Sequence, residues 1–208
     1  MALQITGASN KPNSYWTGGY TNRVKTTWRM SKEQSGGGIL VMNYIYDVYR
    51  MRYVTGLEVK RIFAEYDTFN TDVEVEDVIT VSLRFENGAI GTIQAGSAIP
   101  GAKRSGVRGT ETIGNRIQGT KGQIVFAGKR LLVFTDRDVD GLTKGDWTEL
   151  TFEDVKGDSY VTYFDRFAEA VFEGRQPDVP GEEGRKTLEV LVGAYQSGQM
   201  NQPVNLPL

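Results

Sequence analysis

The sequence predicts a single α+β domain over residues 1–208, a mostly antiparallel, open-faced sheet covered on one side by helices. Three observations point there. The middle of the chain is a run of short strand patterns separated by glycine-containing turns. Ahead of it, Ile39–Val54 is apolar almost all round, as in a helix buried on most sides. Behind it, two segments carry apolar stripes at helical spacing. Strands followed by helices, rather than strict alternation, is the order expected of an α+β domain.

Taken in order, Leu3–Ser9 alternates weakly and reads as a strand. Asn10–Gln34 is polar but carries Tyr15, Trp16, Tyr20 and Trp28. An irregular stretch of that length is expected to be functional, so residues 10–35 read as a pocket or interface loop. Ser35-Gly36-Gly37-Gly38 then opens the helix with a flexible glycine run, and Gly56 closes it as a residue that tolerates positive φ. Val59–Thr68 is a strand of mixed pattern. In Asp77–Phe85, Ile79, Val81, Leu83 and Phe85 share one face, and Thr80, Ser82 and Arg84 the other. Asn87-Gly88 predicts a type I′ hairpin turn into Ala89–Ala98. Further strands are expected at Arg116–Gln118, Gln123–Phe126, Leu131–Thr135 and Thr148–Phe152, with turns at Thr120-Lys121-Gly122 and Gly128-Lys129. Tyr160–Glu173 and Glu182–Ser197 are the closing helices, the first ended by Gly174 and the second started by acidic Glu182 and Glu183.

Composition narrows the function classes. A net charge of −2 and scattered Lys and Arg argue against a nucleic-acid partner. The chain has no cysteine, so thiolate chemistry and disulfides are excluded, and a reducing cytoplasmic location is the expectation. No stretch approaches the ~18 consecutive apolar residues of a membrane span. The first residues show no signal-peptide pattern, and the strand pattern begins almost at once. That start suits a piece of a longer chain or a short natural protein.

Several segments in order carry a resemblance. They are Tyr15-Trp16-Thr17-Gly18-Gly19-Tyr20, Gly36–Tyr49, Val75-Glu76-Asp77, and Arg84-Phe85-Glu86-Asn87-Gly88-Ala89. They continue with Ile117-Gln118-Gly119-Thr120-Lys121-Gly122, Phe172-Glu173-Gly174-Arg175-Gln176-Pro177, and Gly181-Glu182-Glu183-Gly184-Arg185 ahead of Leu188-Glu189-Val190. Together they resemble the C-terminal domain of the glucose–fructose oxidoreductase, inositol dehydrogenase and MocA-like (Gfo/Idh/MocA) family. The resemblance implies NAD(P)-dependent hydride transfer on a sugar or cyclitol alcohol in a two-domain protein. There a Rossmann domain holds the cofactor and a catalytic lysine, and the second domain supplies the substrate pocket and builds oligomers through its sheet.

The cofactor half is not legible here. No G-x-G-x-x-G stands between a strand and a helix, so NAD(P) is not expected to bind this chain alone. Asn10-Lys11-Pro12 lacks the glutamate of the family's Glu-Lys-Pro motif, and Lys11 is not given that role. The family helix also carries an aspartate and a histidine four residues apart, where a carboxylate orients an imidazole for proton exchange. The matching positions are Met42 and Tyr46, with Tyr49 at a further acidic position, and the chain has no histidine.

Tyr46 is therefore the one candidate for proton transfer, weighed against a pocket-lining phenol and a plain buried aromatic. A tyrosine near pKa ~10 is a poor neutral-pH base without a neighbouring cation such as Lys25. The expected substrate-binding residues are Tyr15, Trp16, Arg23, Lys25, Trp28, Met42, Asn43, Tyr46 and Tyr49, with Asp47 read as a surface or structural carboxylate. Asp136-Arg137-Asp138-Val139-Asp140-Gly141 begins like a calcium loop but has Trp147 where the bidentate glutamate belongs, so no metal is expected. Two functions remain. One is the substrate-binding and homo-oligomerising half of such an oxidoreductase, inactive alone. The other is a stand-alone, non-catalytic module that binds a sugar-like small molecule or a protein.

Overall fold

A computed structural model describes residues 1–18, 23–102, 115–127, 130–151 and 159–208. Tyr20, the Gly128-Lys129 turn and Phe152 lie outside the described residues. The strands are β1 (Ala2–Ala8), β2 (Val59–Asp67), β3 (Val78–Phe85), β4 (Ile90–Gly96) and β5 (Arg116–Gly119). They continue with β6 (Gly122–Ala127), β7 (Arg130–Thr135), β8 (Trp147–Thr151) and β9 (Val204–Asn205). They form one sheet in the order β8-β7-β6-β5-β1-β4-β3-β2-β9. Among the described strands β1 and β4 are the one parallel pair, Ala2 to Ala8 matching Ile90 to Gly96, and the other strand pairs are antiparallel. The predicted α+β class holds.

Alternation decides which face of the sheet is covered. On β3, Ile79, Val81, Leu83 and Phe85 are buried while Thr80, Ser82 and Arg84 are exposed. The buried face joins Leu3, Ile5, Ile62 and Ile93 to Leu40, Val48 and Met51 of the first long helix and Val190, Leu191 and Ala194 of the last. Each of the Val, Leu, Ile and Met side chains among them contributes about 1.5–3 kcal/mol by leaving water. The opposite face is polar, and the register sets Thr80 against Gln94 and Ser82 against Thr92. It is the uncovered side.

The helices are α1 (Asn13–Gly18), α2 (Lys32–Ser35), α3 (Ile45–Thr55), α4 (Ser159–Glu173) and α5 (Gly181–Met200). Four corrections follow. The expected loop 10–35 contains α1, α2 and a 3-10 turn at Trp28–Met30. The expected helix 39–54 begins with a π turn at Leu40–Tyr44 before α3. At Asn87-Gly88 only Gly88 has positive φ, with the Gly88 and Ala89 amides bonded back to Phe85 and the Asn87 side chain. A type I′ turn needs positive φ at both central residues, and Asn87 does not have it, so the turn is of another type. Finally, α5 covers β2 but α4 does not cover the sheet: Tyr160, Tyr163, Phe164, Phe167 and Val171 on its apolar stripe are exposed. No helix among the described residues is long and apolar enough to cross a membrane.

Candidate functional site

The glycine run is held in place rather than flexible. The helix it opens has four leading backbone N–H groups that lack a partner inside the helix. Glu76 accepts two of them, from Gly38 at 2.6 Å and Leu40 at 3.0 Å, and its backbone carbonyl accepts Ile39 at 3.2 Å. Val41 donates to the Tyr195 hydroxyl at 3.3 Å. This close fit explains the glycines: a Cβ on Gly37 would overlap the Tyr195 hydroxyl, and one on Gly38 the Glu76 carbonyl oxygen.

The helix so anchored faces the carboxyl end of β1, and between them lies a polar cleft of about 390 Å³. Its helical wall is Ile39, Asn43, Tyr44, Asp47 and Arg50; its strand wall is Thr6–Ser9 with Lys11, closed by Asn115 and Phe126. Asn115 ties the two walls. Its Oδ1 accepts the Thr6 N–H at 3.1 Å, and its Nδ2 donates to Asp47 Oδ1 at 2.7 Å. Arg50 donates to the same Asp47 oxygen, and its guanidinium lies 5.1 Å from the Phe126 ring centre.

Tyr44 is packed so tightly over β1 that a Cβ on Gly7 would overlap its hydroxyl. Burial, and then the nearby Asp47 charge, push the Tyr44 phenol up to about 12. It is a neutral hydrogen-bonding group at physiological pH, not a base. Asn43 Oδ1 is buried at the helical wall, and Thr6 Oγ1 on the Gln94 side of β1, each without a hydrogen-bond partner among the described residues. Lined by Lys11, Asn43, Tyr44, Asp47, Arg50 and Asn115, the cleft offers both donors and acceptors, as a hydroxyl-bearing ligand requires.

Of the nine substrate-binding residues expected from sequence, Asn43 alone lines this cleft. Tyr15 and Trp16 are buried with Val75 in a separate small cluster that Met42 packs against, and the Tyr15 hydroxyl lies 3.9 Å from Met42 Sδ. The Lys11 ammonium sits 4.4 Å from the Tyr15 ring centre, linking that cluster to the cleft. Arg23, Lys25 and Trp28 are exposed, Trp28 under the Arg29 guanidinium at 4.4 Å. Tyr46 is 74% exposed, and half-buried Tyr49 leans on Tyr53 with ring centres 5.9 Å apart. Met42 and Tyr46 thus do not share a wall.

Asp47, which the sequence reading leaves outside the site, is in the cleft. The 39/43/47/50 spacing is a helical face visible in the sequence. Asn115 and Thr6 carry no such signal, since 109 positions separate them. The Asp136–Gly141 segment is part of the β7–β8 hairpin, where Lys144 pairs with Asp138 at 2.8 Å.

The model of the GFO/IDH/MocA C-terminal domain matches residues 7–125. A myo-inositol 2-dehydrogenase from Thermotoga maritima is 31% identical over 179 residues, 82% of this chain and 49% of that protein. Among solved structures, a levoglucosan dehydrogenase in complex with NADH superposes with a TM-score of 0.77 at 19% identity, covering 100% of this chain and 58% of that one. An aldose-aldose oxidoreductase from Caulobacter crescentus complexed with glycerol gives 0.71 at 21% identity, covering 99% and 54%. At those identities the two structures speak for the fold. The chain spans about half the length of the curated relatives it matches.

Proposed function

This chain belongs to the GFO/IDH/MocA C-terminal domain family, and from that premise we propose that it is the substrate-binding part of an oxidoreductase acting on a sugar or cyclitol alcohol. Hydride transfer would need NAD(P) held by a nucleotide-binding domain, as the resemblance implies; this chain alone binds polyol and does no redox chemistry. The observation that carries the reading is the polar cleft between β1 and α3, where Asn115 and Arg50 orient the Asp47 carboxylate. The relatives' names support it: one acts on myo-inositol, another on levoglucosan.

Self-association is part of the proposal. The uncovered sheet face, with Thr80, Ser82, Thr92 and Gln94 at its centre, is the surface through which two copies would pair. A cytoplasmic location belongs to the same reading. Titration calorimetry tests the core of it: myo-inositol is expected to bind and NAD(P) is not. Tight NAD binding by this chain, or indifference to every polyol, would overturn it.

A second reading rests on Met42 and Tyr46. With no histidine in the chain, the cleft could serve as a binding module without chemistry. Adding a nucleotide-binding domain and finding no polyol oxidation would favour it.

A further inference from the structure

Charge is divided unequally in the cleft between β1 and α3. Among the described residues that line it, the charged side chains are Lys11, Asp47 and Arg50. Two cations and one carboxylate make one net positive charge, in a chain whose overall charge is −2. Asp47 is engaged by its own protein: Oδ1 accepts from Asn115 Nδ2 at 2.7 Å and also from Arg50. Lys11 stands apart from that cluster. It is 9% exposed, and its ammonium lies 4.4 Å from the centre of the Tyr15 ring. The Tyr15 hydroxyl in turn meets Met42, more than a helical turn before Asp47. A cation so far withdrawn from bulk water is screened much less than one on an open surface, so its field acts inside the cleft.

We infer that the cleft takes an acidic sugar, a polyol bearing one carboxylate, and that Lys11 is the residue that selects it. This rests on the polyol-binding reading above and narrows the class of polyol. A single carboxylate balances a net charge of one, whereas a phosphate monoester brings about −1.5 to −2 at pH 7 and leaves the complex negative. Asp47 repels the acid group and thereby sends it to the Lys11 end of the cleft. The other polar groups of the wall serve a neutral sugar and an acidic one alike. Only the charge of Lys11 distinguishes two rings that differ in the acid group alone. This role needs position and charge and no proton transfer, so it does not depend on the glutamate that Asn10-Lys11-Pro12 lacks.

Calorimetric titration of the full chain with glucose, glucuronate and glucose 6-phosphate tests this, because the three share a ring and differ only in the group on the sixth carbon. Glucuronate is expected to bind about tenfold more tightly than glucose, and at least as tightly as the phosphate. Raising NaCl from about 0.05 to about 0.5 M should weaken glucuronate severalfold and leave glucose unchanged. Lys11→Met should abolish the preference for glucuronate while glucose affinity stays within about twofold, which also shows that the variant is folded. Lys11→Arg, which keeps the charge, should keep the preference. Equal affinity of the wild type for glucose and glucuronate overturns the inference and leaves the polyol reading standing. So does a folded Lys11→Met variant that keeps the preference or loses both sugars alike. The salt series needs no variant: glucuronate binding that ignores salt overturns the inference as well. Tighter binding of the phosphate overturns the choice of a carboxylate. Indifference to all three sugars and to myo-inositol overturns the underlying reading and this inference with it.

Discussion

Tyr195 of α5 donates its hydroxyl hydrogen to Glu76 at 2.9 Å, and the same oxygen accepts the Val41 N–H at 3.3 Å. One phenol thereby joins the last helix, the loop before β3 and the first turn of the helix that forms the cleft. Burial first, and then the Glu76 charge, raise the Tyr195 phenol well above its ordinary range, so it stays a donor at any physiological pH. Tyr195→Phe is expected to cost about 1–2 kcal/mol and to loosen the cleft, read as faster amide exchange at residues 38–42.

Glu76 is 3% exposed, and burial raises its carboxyl above the ordinary value of 4.5, although the bonds from Leu40, Tyr195 and Gly38 pull the other way. The folded state then holds the proton more firmly than the unfolded chain. Its contribution is complete below 4.5 and declines as pH rises through the raised folded value. Glu76→Gln removes this dependence. It also turns an amide N–H₂ toward a backbone donor, a loss of about 2 kcal/mol at neutral pH. Chemical denaturation across pH should show wild type exceeding the variant by more in acid than at neutrality; a gap that widens as pH rises would contradict the assignment.

Arg52 of α3 is 4% exposed and reaches Glu58 at 2.8 Å, Glu183 at 3.0 Å and Thr187 at 2.9 Å. Burial works against its charge, but the bonds to the two carboxylates more than offset this and raise its pKa. Its hydrogen bond holds the Glu58 carboxyl below the ordinary range, against the opposing effect of burial. A depressed carboxylate contributes stability above its unfolded value of 4.5 that is lost as pH falls through the folded one. Arg52→Met should cost about 1 kcal/mol at pH 7, since the Glu58 and Glu183 side chains it leaves are 38% and 34% exposed and screened by water. It should also flatten the acid limb of the stability profile. An unchanged acid limb would mean that Glu58 draws its shift from Lys186 alone.

Gly38→Ala tests the anchoring of the glycine run. The added methyl group would overlap the Glu76 carbonyl oxygen, which is backbone and cannot swing aside. A loss of about 3 kcal/mol or more in thermal unfolding is expected, against little change for Gly181→Ala, where the space is open. Equal effects at both positions would return the run to a merely flexible hinge.

Self-association through the open sheet can be read directly. Light scattering at micromolar concentration should give a dimer or higher oligomer, and Thr92→Lys with Ser82→Asp, directly opposite in register and able to pair with each other, should give a monomer of similar melting temperature. A wild-type monomer, or a double variant that remains oligomeric, would exclude this face.

Much of the fold was legible because it depends on local periodicity. The β3 alternation, the Gly56 cap with φ of +64°, and the two closing helices follow from residues that are neighbours in sequence. The turn at Asn87-Gly88 was legible as a turn but not in its type, since φ at Asn87 is settled by how β3 and β4 twist together. Inside loop 10–35, α1 forms because Tyr15 and Trp16 find Val75, a contact about sixty positions away that no short-range pattern encodes.

The glycine-led segment shows where the two kinds of information part. By itself the sequence determined that this stretch is a buried helix of the GFO/IDH/MocA type with neither histidine nor aspartate at positions 42 and 46, because composition and order are properties of the chain. Only the tertiary structure decided which side of that helix meets a cleft. Glu76 and Tyr195 hold its first turn, and Asn115 draws Asp47 toward β1. Those partners lie 36 to 154 positions from the residues they orient, so the outcome depends on packing across the fold and not on local pattern.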